Sequence, residues 1–272
     1  MIPKVIHYCW FGGNPLPELA KGCIESWKKY CPDYKIVEWN ESNFDLSCCD
    51  YVKEAFQAKK WAFITDYVRL YALYNYGGIY MDTDVEVVKS LDAFLQQPAF
   101  SGFESDTQIP TGIMASEKGN LWTKRQLDYY TNRHFILSDG TLDLTTNVRT
   151  ITNITAEYYP SLKLNNTYQE LGDITFYPKD YFCPKDALTK EVHMTENTAT
   201  IHHFNGSWIP PEERMIAQKA EQIGKKYNPH LGKLYSFVGV AWYRLKDAYR
   251  NGGIKSAASF FVKRAAAQLK RK

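Results

Sequence analysis

Two carboxylates one residue apart, Asp82 and Asp84, stand in an apolar run that follows Gly77-Gly78. Side chains alternate faces along a strand, so this spacing predicts that both acids point the same way. Carboxylate pairs of this kind suit a hard divalent cation such as Mn²⁺ or Mg²⁺. A solvated acidic strand is the simpler alternative. Ile79, Tyr80, Met81, Val85, Val87 and Val88 weigh against it, because they describe a buried strand in which unpaired charge is costly. Upstream, Lys59 to Tyr76 reads KKWAFITDYVRLYALYNY with no internal Gly or Pro, which predicts a helix stopped by Gly77-Gly78. Ala62, Phe63, Tyr67, Leu70, Tyr71 and Tyr74 recur at three- and four-residue spacing and give it a core-facing side. Asp66 and Arg69, three apart, are neighbours on its surface. Alone they read as an ordinary intrahelical ion pair; beside Asp82 and Asp84 they can present hydrogen-bonding groups to a polar ligand.

Thr65-Asp66-Tyr67-Val68-Arg69, Tyr76-Gly77-Gly78-Ile79-Tyr80 and Asp82-Thr83-Asp84 together resemble the core of the DXD glycosyltransferases of the Och1-like, sugar-binding-region type. The glucosylating clostridial toxins share that core. An isolated Asp-x-Asp is a weak motif; the composite from Asp66 to Asp84 is specific. The opening run Ile2-Pro3-Lys4-Val5-Ile6-His7-Tyr8-Cys9-Trp10-Phe11-Gly12-Gly13 resembles the first strand and loop of the same family. It implies that Trp10 lies against the nucleotide base and places Tyr8 among the donor-binding residues, while His7 reads as a structural strand residue. Thr200-Ile201-His202-His203-Phe204-Asn205-Gly206-Ser207-Trp208 resembles the segment that closes the family's donor site. It implies one imidazole on the metal, and Ser207 with Trp208 on the diphosphate. Strand alternation gives the two histidines different roles, with His202 the first choice as ligand and His203 the alternative.

The resemblance implies a GT-A fold, a Rossmann-like mixed α/β sheet with flanking helices. It also implies metal-dependent transfer of a hexose, with retention, from a nucleotide-diphosphate sugar to a saccharide acceptor. The donor is expected to be a UDP-sugar. In this scheme Asp66 and Arg69 orient the sugar hydroxyls, Asp84 leads the cation site, and Asp82 is shared between ribose, sugar and metal-bound water. No carboxylate nucleophile declares itself in the sequence, so retention is expected by front-side attack. The family often has Asn or a similar polar group near Thr111, which leaves the sugar open.

The elements that must position these residues alternate. Lys4 to Tyr8 reads as a strand, Pro17 to Tyr30 as a helix with Leu19, Cys23, Ile24 and Trp27 inward, and Tyr34 to Trp39 as a second strand. Tyr51 to Ala58 begins a helix that leads, with a break, into the one carrying Asp66. Such alternation argues for a parallel sheet with its ligand beyond the carboxyl ends of the strands, where Trp10 and Asp84 would lie. No G-x-G-x-x-G follows the first strand. Ala99 to Glu104 reads as a strand, and Ile109 to Ser116 as a loop entering another. Residues 121–200 mix helix and irregular segments on the expected acceptor side.

At 272 residues, 44% hydrophobic and 15% aromatic, the chain can bury one large core, expected over 1–230. Its six cysteines show no C-x-x-C spacing, which suits free thiols in a reducing compartment. No run of about 20 apolar residues is present to cross a bilayer. The Met1-Ile2-Pro3 start leaves no room for a signal sequence, so a cytoplasmic bacterial enzyme of capsule or other surface polysaccharide synthesis is expected. From Lys233 onward ten Lys or Arg stand against one acid, Asp247, which leaves −6 on residues 1–232 of a chain whose net charge is +3. Residues 231–272 are expected to form two basic amphipathic helices, carried by Leu234, Phe237, Val238, Ala241, Leu245 and Ala248, and by Ile254, Ala258, Phe261, Ala265 and Leu269. They would either lie on an anionic membrane surface or pack on the catalytic domain. No nucleic-acid motif accompanies the charge. Three other classes compete: a nucleotidyltransferase, disfavoured because Trp10-Phe11-Gly12-Gly13-Asn14-Pro15 lacks a basic phosphate-loop residue, a protein-glycosylating effector, and a non-catalytic carbohydrate module.

Overall fold

The computed structural model describes residues 1–187, 189–206, 211–228 and 230–246. The chain divides into two compact units, 1–205 and 206–272. The first unit runs β1 (Val5–Cys9), α1 (Glu18–Tyr30), β2 (Lys35–Trp39), α2 (Asp50–Gln57), α3 (Trp61–Tyr76), β3 (Gly78–Met81) and β4 (Val85–Val87). It continues through β5 (Ala99–Gly102), β6 (Ile113–Ser116), α4 (Leu121–Asp128), α5 (Asn147–Tyr158), β7 (Gln169–Glu170), β8 (Thr175–Tyr177), α6 (Lys179–Phe182) and β9 (Thr200–His202).

Seven strands form one sheet in the order β2-β1-β3-β6-β5-β8-β7, and β4 pairs with β9 in a separate two-stranded ribbon. The sheet is mixed: β1 lies parallel to β2 and β3, but β6 runs antiparallel to both β3 and β5. The alternation of the first eighty residues foretold the parallel half. The antiparallel β6 enters by a loop rather than a helical crossover, and so its direction left no helix-strand alternation to read. Strand alternation divides the core over the two faces. Tyr80 joins Trp39, Val52, Ile64, Val68 and Leu73 on one, while Ile79 and Met81 join Ile6, Trp27 and Phe100 on the other.

Two expectations need correction. Asp82 and Asp84 do not share a strand, because β3 ends at Met81 and the Val85 N–H bonds the Asp82 carbonyl at 3.0 Å, closing a turn. The chain leaves the main sheet at this turn to enter the β4-β9 ribbon, so turn geometry, not strand alternation, positions the two acids. Likewise α3 has no single core side. Ile64, Asp66, Val68, Arg69, Leu70, Ala72 and Leu73 are buried, whereas Phe63, Tyr67, Tyr71 and Tyr74 are half-buried. The helix is embedded between β1, β3 and β6 on one hand and α2 and α4 on the other, so burial runs around it. The break before it falls at Lys59, whose φ is +54°.

The second unit contains α7 (Pro211–Lys226) and a helix, α8, over 230–246. Among the described residues no helix is long and apolar enough to cross a membrane.

Candidate active site

Glycine lets the site form where α3 meets the sheet. A Cβ on Gly78 would stand 2.6 Å from the Val5 carbonyl oxygen and 3.1 Å from His7 Nε2, so only glycine allows β3 to approach β1 this closely. His7 secures the junction. Its Nδ1 accepts from the Trp39 indole at 3.2 Å, which leaves the proton on Nε2 to donate to the Gly77 carbonyl at 2.8 Å. Burial lowers its pKa and keeps it neutral, a structural role.

Arg69 is the centre of the buried polar network. It is 4% exposed and donates through Nη1 to the Thr111 carbonyl at 2.6 Å, through Nη2 to Asp66 Oδ1 at 3.1 Å, and through Nε to the Thr65 carbonyl at 3.2 Å. Its guanidinium lies 4.6 Å from the Tyr80 ring centre and 3.5 Å from Asp82 Oδ1. Tyr80 also donates its hydroxyl to Asp82 Oδ1 at 2.8 Å, and the Asp82 N–H bonds the Gly112 carbonyl at 2.8 Å. Asp66 receives a second donor, Asn147 Nδ2, at 2.9 Å. Burial nevertheless pushes the Asp66 carboxyl up to about 7 against the pull of Arg69. Asn147 Oδ1 is buried without a hydrogen-bond partner among the described residues, an open acceptor beside Asp66. The sequence singled out no role for Asn147, because nothing local to Thr145-Thr146-Asn147 announces a partner 81 residues upstream.

The ribbon brings the third donor. β9 pairs His202 with Val85 in register, and His202 Nε2 lies 3.4 Å from Asp84 Oδ1. Asp84 Oδ2 accepts the Asn205 N–H at 2.8 Å, which leaves Oδ1 turned to the imidazole. Asp82, Asp84 and His202 each offer a ligand atom, and the three atoms lie within 4.8 Å of one another. Donors about 2.1 Å from a shared cation stand roughly 3 to 4 Å apart, so atoms spread over as much as 4.8 Å would close on a six-coordinate hard ion after a small inward shift of the side chains. Burial opposes charge on both partners of the Asp84-His202 pair. Their mutual attraction prevails, holding Asp84 below the usual carboxylate range and His202 well above the usual imidazole. His203 turns the other way, with Nε2 2.9 Å from Glu86 Oε2, and is not part of the cluster.

Glu104, beyond the end of β5, is the carboxyl the sequence did not single out for chemistry. Burial pushes its pKa up to about 7, with the His202 charge opposing and Asp82 adding to the rise. Trp10 is half-buried, with its indole N–H on the Asn14 carbonyl at 2.5 Å. Tyr8 is buried against Trp27, and its hydroxyl donates to Glu38 Oε2 at 2.5 Å. Ser207 and Trp208 lie outside the described residues, as does Asp247 onward of the tail.

Comparison with known proteins shows what this stretch is similar to. Residues 17–101, which hold Asp66, Arg69, Asp82 and Asp84, match the model described as the glycosyltransferase sugar-binding region containing DXD motif. The chain is 35% identical over 142 residues to inositol phosphoceramide mannosyltransferase 3 of Schizosaccharomyces pombe, covering 49% of this chain and 40% of that protein. It is 30% identical over 131 residues to the mannosyl phosphorylinositol ceramide synthase CSH1 of Saccharomyces cerevisiae, covering 43% and 32%. The chain thus spans well under half the length of these relatives. Among solved structures, a PaToxG glycosyltransferase is similar at 19% identity and a TM-score of 0.45, over 59% of this chain and 71% of that one. A glycosyltransferase involved in glycosylation of the major capsid of PBCV-1 is similar at 13% identity and a TM-score of 0.43, over 76% and 95%.

Proposed function

We propose that this chain is a metal-dependent retaining glycosyltransferase of GT-A architecture that moves a hexose from a nucleotide-diphosphate sugar, first choice UDP-linked, to a lipid-borne saccharide acceptor. The observation that carries the reading is the convergence of Asp82, Asp84 and His202 within 4.8 Å, with both acids inside the stretch that matches the sugar-binding region model. These three residues would hold Mn²⁺ or Mg²⁺, with His202 rather than His203 as the nitrogen ligand. Such a cation supplies Lewis acidity to the departing diphosphate.

The remaining work falls to the chain's own groups. Arg69 and Tyr80 hold Asp82 in place from beneath, so the acid needs no rearrangement when substrate arrives. Asp66 and the open Asn147 Oδ1 accept hydrogen bonds from sugar hydroxyls, while Arg69, with its donors spent on protein groups, orients Asp66. Trp10 stacks on the base, with Tyr8 bracing the strand beneath it, and Ser207 with Trp208 meets the diphosphate. Front-side attack remains the route to retention. The inositol phosphoceramide mannosyltransferase relatives support a lipid-borne acceptor and bring mannose donors into the test beside UDP-hexoses. The setting proposed is the cytoplasmic face of a bacterial membrane, in surface polysaccharide synthesis.

A panel of UDP- and GDP-sugars assayed for slow hydrolysis, with Mn²⁺ and with chelator, tests this. One donor should stand out, and both chelation and Asp84→Ala should abolish its turnover. Hydrolysis indifferent to both would dismiss the reading; a GDP-sugar as the favoured donor would overturn only the UDP assignment.

A further inference from the structure

The two sides of α8 are unlike. Gly232 and Gly239, seven residues apart, share one face. A Cβ on Gly232 would lie 2.5 Å from the Ala220 carbonyl oxygen and 3.0 Å from Gly224 Cα, and one on Gly239 would lie 2.7 Å from Ile216 Cγ2. The glycines therefore seat α8 directly on α7. Near the far end of α8 the Arg244 guanidinium grips the buried Glu213 carboxylate, at 2.7 and 2.9 Å. Away from that seam, Leu231, Leu234, Val238 and Trp242 recur at three- and four-residue spacing, and they are 51–68% exposed. An apolar stripe left open on a helix already anchored by its other side marks a contact surface.

Charge identifies the partner. Exposed Lys233 and Lys246 lie on the same helix, and the sequence from Lys233 onward holds ten basic residues against one acid while residues 1–232 carry −6. An apolar stripe within so basic a segment suits an anionic lipid surface, where acyl chains take the stripe and headgroup phosphates the cations. We propose that α8 lies on an anionic membrane, with Leu234, Val238 and Trp242 at the acyl boundary, drawn there by the positive charge that the sequence carries from Lys233 onward. The docking depends on the proposed lipid-borne acceptor for its purpose, but the two fail separately because donor hydrolysis is read in solution.

The test is co-sedimentation of the full chain with vesicles of phosphatidylcholine containing 30% phosphatidylglycerol, against phosphatidylcholine alone, at roughly physiological ionic strength. The intact chain should bind the anionic vesicles and not the zwitterionic ones. Leu234→Glu/Val238→Glu, confined to exposed positions, should weaken that binding at least tenfold, keep its helical circular dichroism, and leave donor hydrolysis unchanged. Failure of the intact chain to bind overturns the proposal. So does equal binding by the double variant, which would assign attachment to the basic residues alone. A concentration-dependent dimer that the double variant dissolves, with vesicle binding unaltered, would give the stripe to a second copy and overturn it equally.

Discussion

Gly112→Ala perturbs the cation site without replacing a ligand. A Cβ there would stand 3.0 Å from His202 Cε1 and Nδ1 and 3.3 Å from Cγ. Ordinary contact begins near 3.4 Å, so the ring must give by a few tenths of an ångström. His202 is held by Asp84 on its Nε2 edge and cannot yield without moving that nitrogen relative to Asp82 and Asp84. Overpacking of this kind costs about 1–3 kcal/mol of stability. A misplacement of 1 Å can cost roughly a hundredfold in rate, so a few tenths should raise the Mn²⁺ concentration for half-maximal donor hydrolysis about tenfold. The assay is a Mn²⁺ titration of hydrolysis beside thermal melting in chelator. Gly22→Ala, where a Cβ meets nothing within 4 Å, serves as the control and should leave the metal titration unchanged. A Gly112→Ala protein that melts lower yet keeps the parent's metal dependence would refute the placement of His202 on the cation.

Asp66 and Glu104 both have carboxyl pKa values pushed up to about 7 by burial, so the folded protein holds protons there that the unfolded chain releases near pH 4. Metal-free stability should therefore fall as pH rises from about 5 to 7, by a few kcal/mol, and Asp66→Asn should flatten that slope in urea titrations; an unaltered slope would remove Asp66 as its source. Trp10→Ala should weaken UDP binding by about 1–3 kcal/mol and Trp10→Phe should recover much of it, as measured by calorimetry, because stacking needs a flat ring rather than an indole N–H. Glu104→Gln should keep sugar transfer within about tenfold, since the native carboxyl is already partly protonated near neutrality; a glycosyl adduct on Glu104 in intact-protein mass spectra would replace front-side attack with a covalent route.

What the sequence disclosed depended on whether the signal was local. Asp66 and Arg69 on one helix turn, the Gly77-Gly78 stop and the Asp82-Thr83-Asp84 run are each local signals, and the structure brings Arg69 to both Asp66 and Asp82. The choice of His202 over His203 also came from a local cue, the apolar Thr200-Ile201 pair, and the structure sets His202 beside Asp84 and His203 on Glu86. Asn147 and Glu104 were missed because tertiary packing alone carries them to Asp66 and to the Asp82-His202 pair. Strand alternation misled at Asp82 because the chain changes sheets there, and a sheet change has no periodic signature. The all-round burial of α3 was hidden for a related reason. Its aromatic face imitates an amphipathic helix, while Val68, Ala72 and the buried Asp66-Arg69 pair pack on the other sides.

Asp82, Asp84 and His202 are proposed to share one cation. Pulsed electron paramagnetic resonance of Mn²⁺ bound to protein labelled with ¹⁵N-histidine reads that contact directly. One ¹⁵N hyperfine coupling from a metal-bound imidazole is expected, lost in His202→Ala and kept in His203→Ala. Mn²⁺ that binds with no histidine coupling, or whose coupling survives His202→Ala, would contradict it.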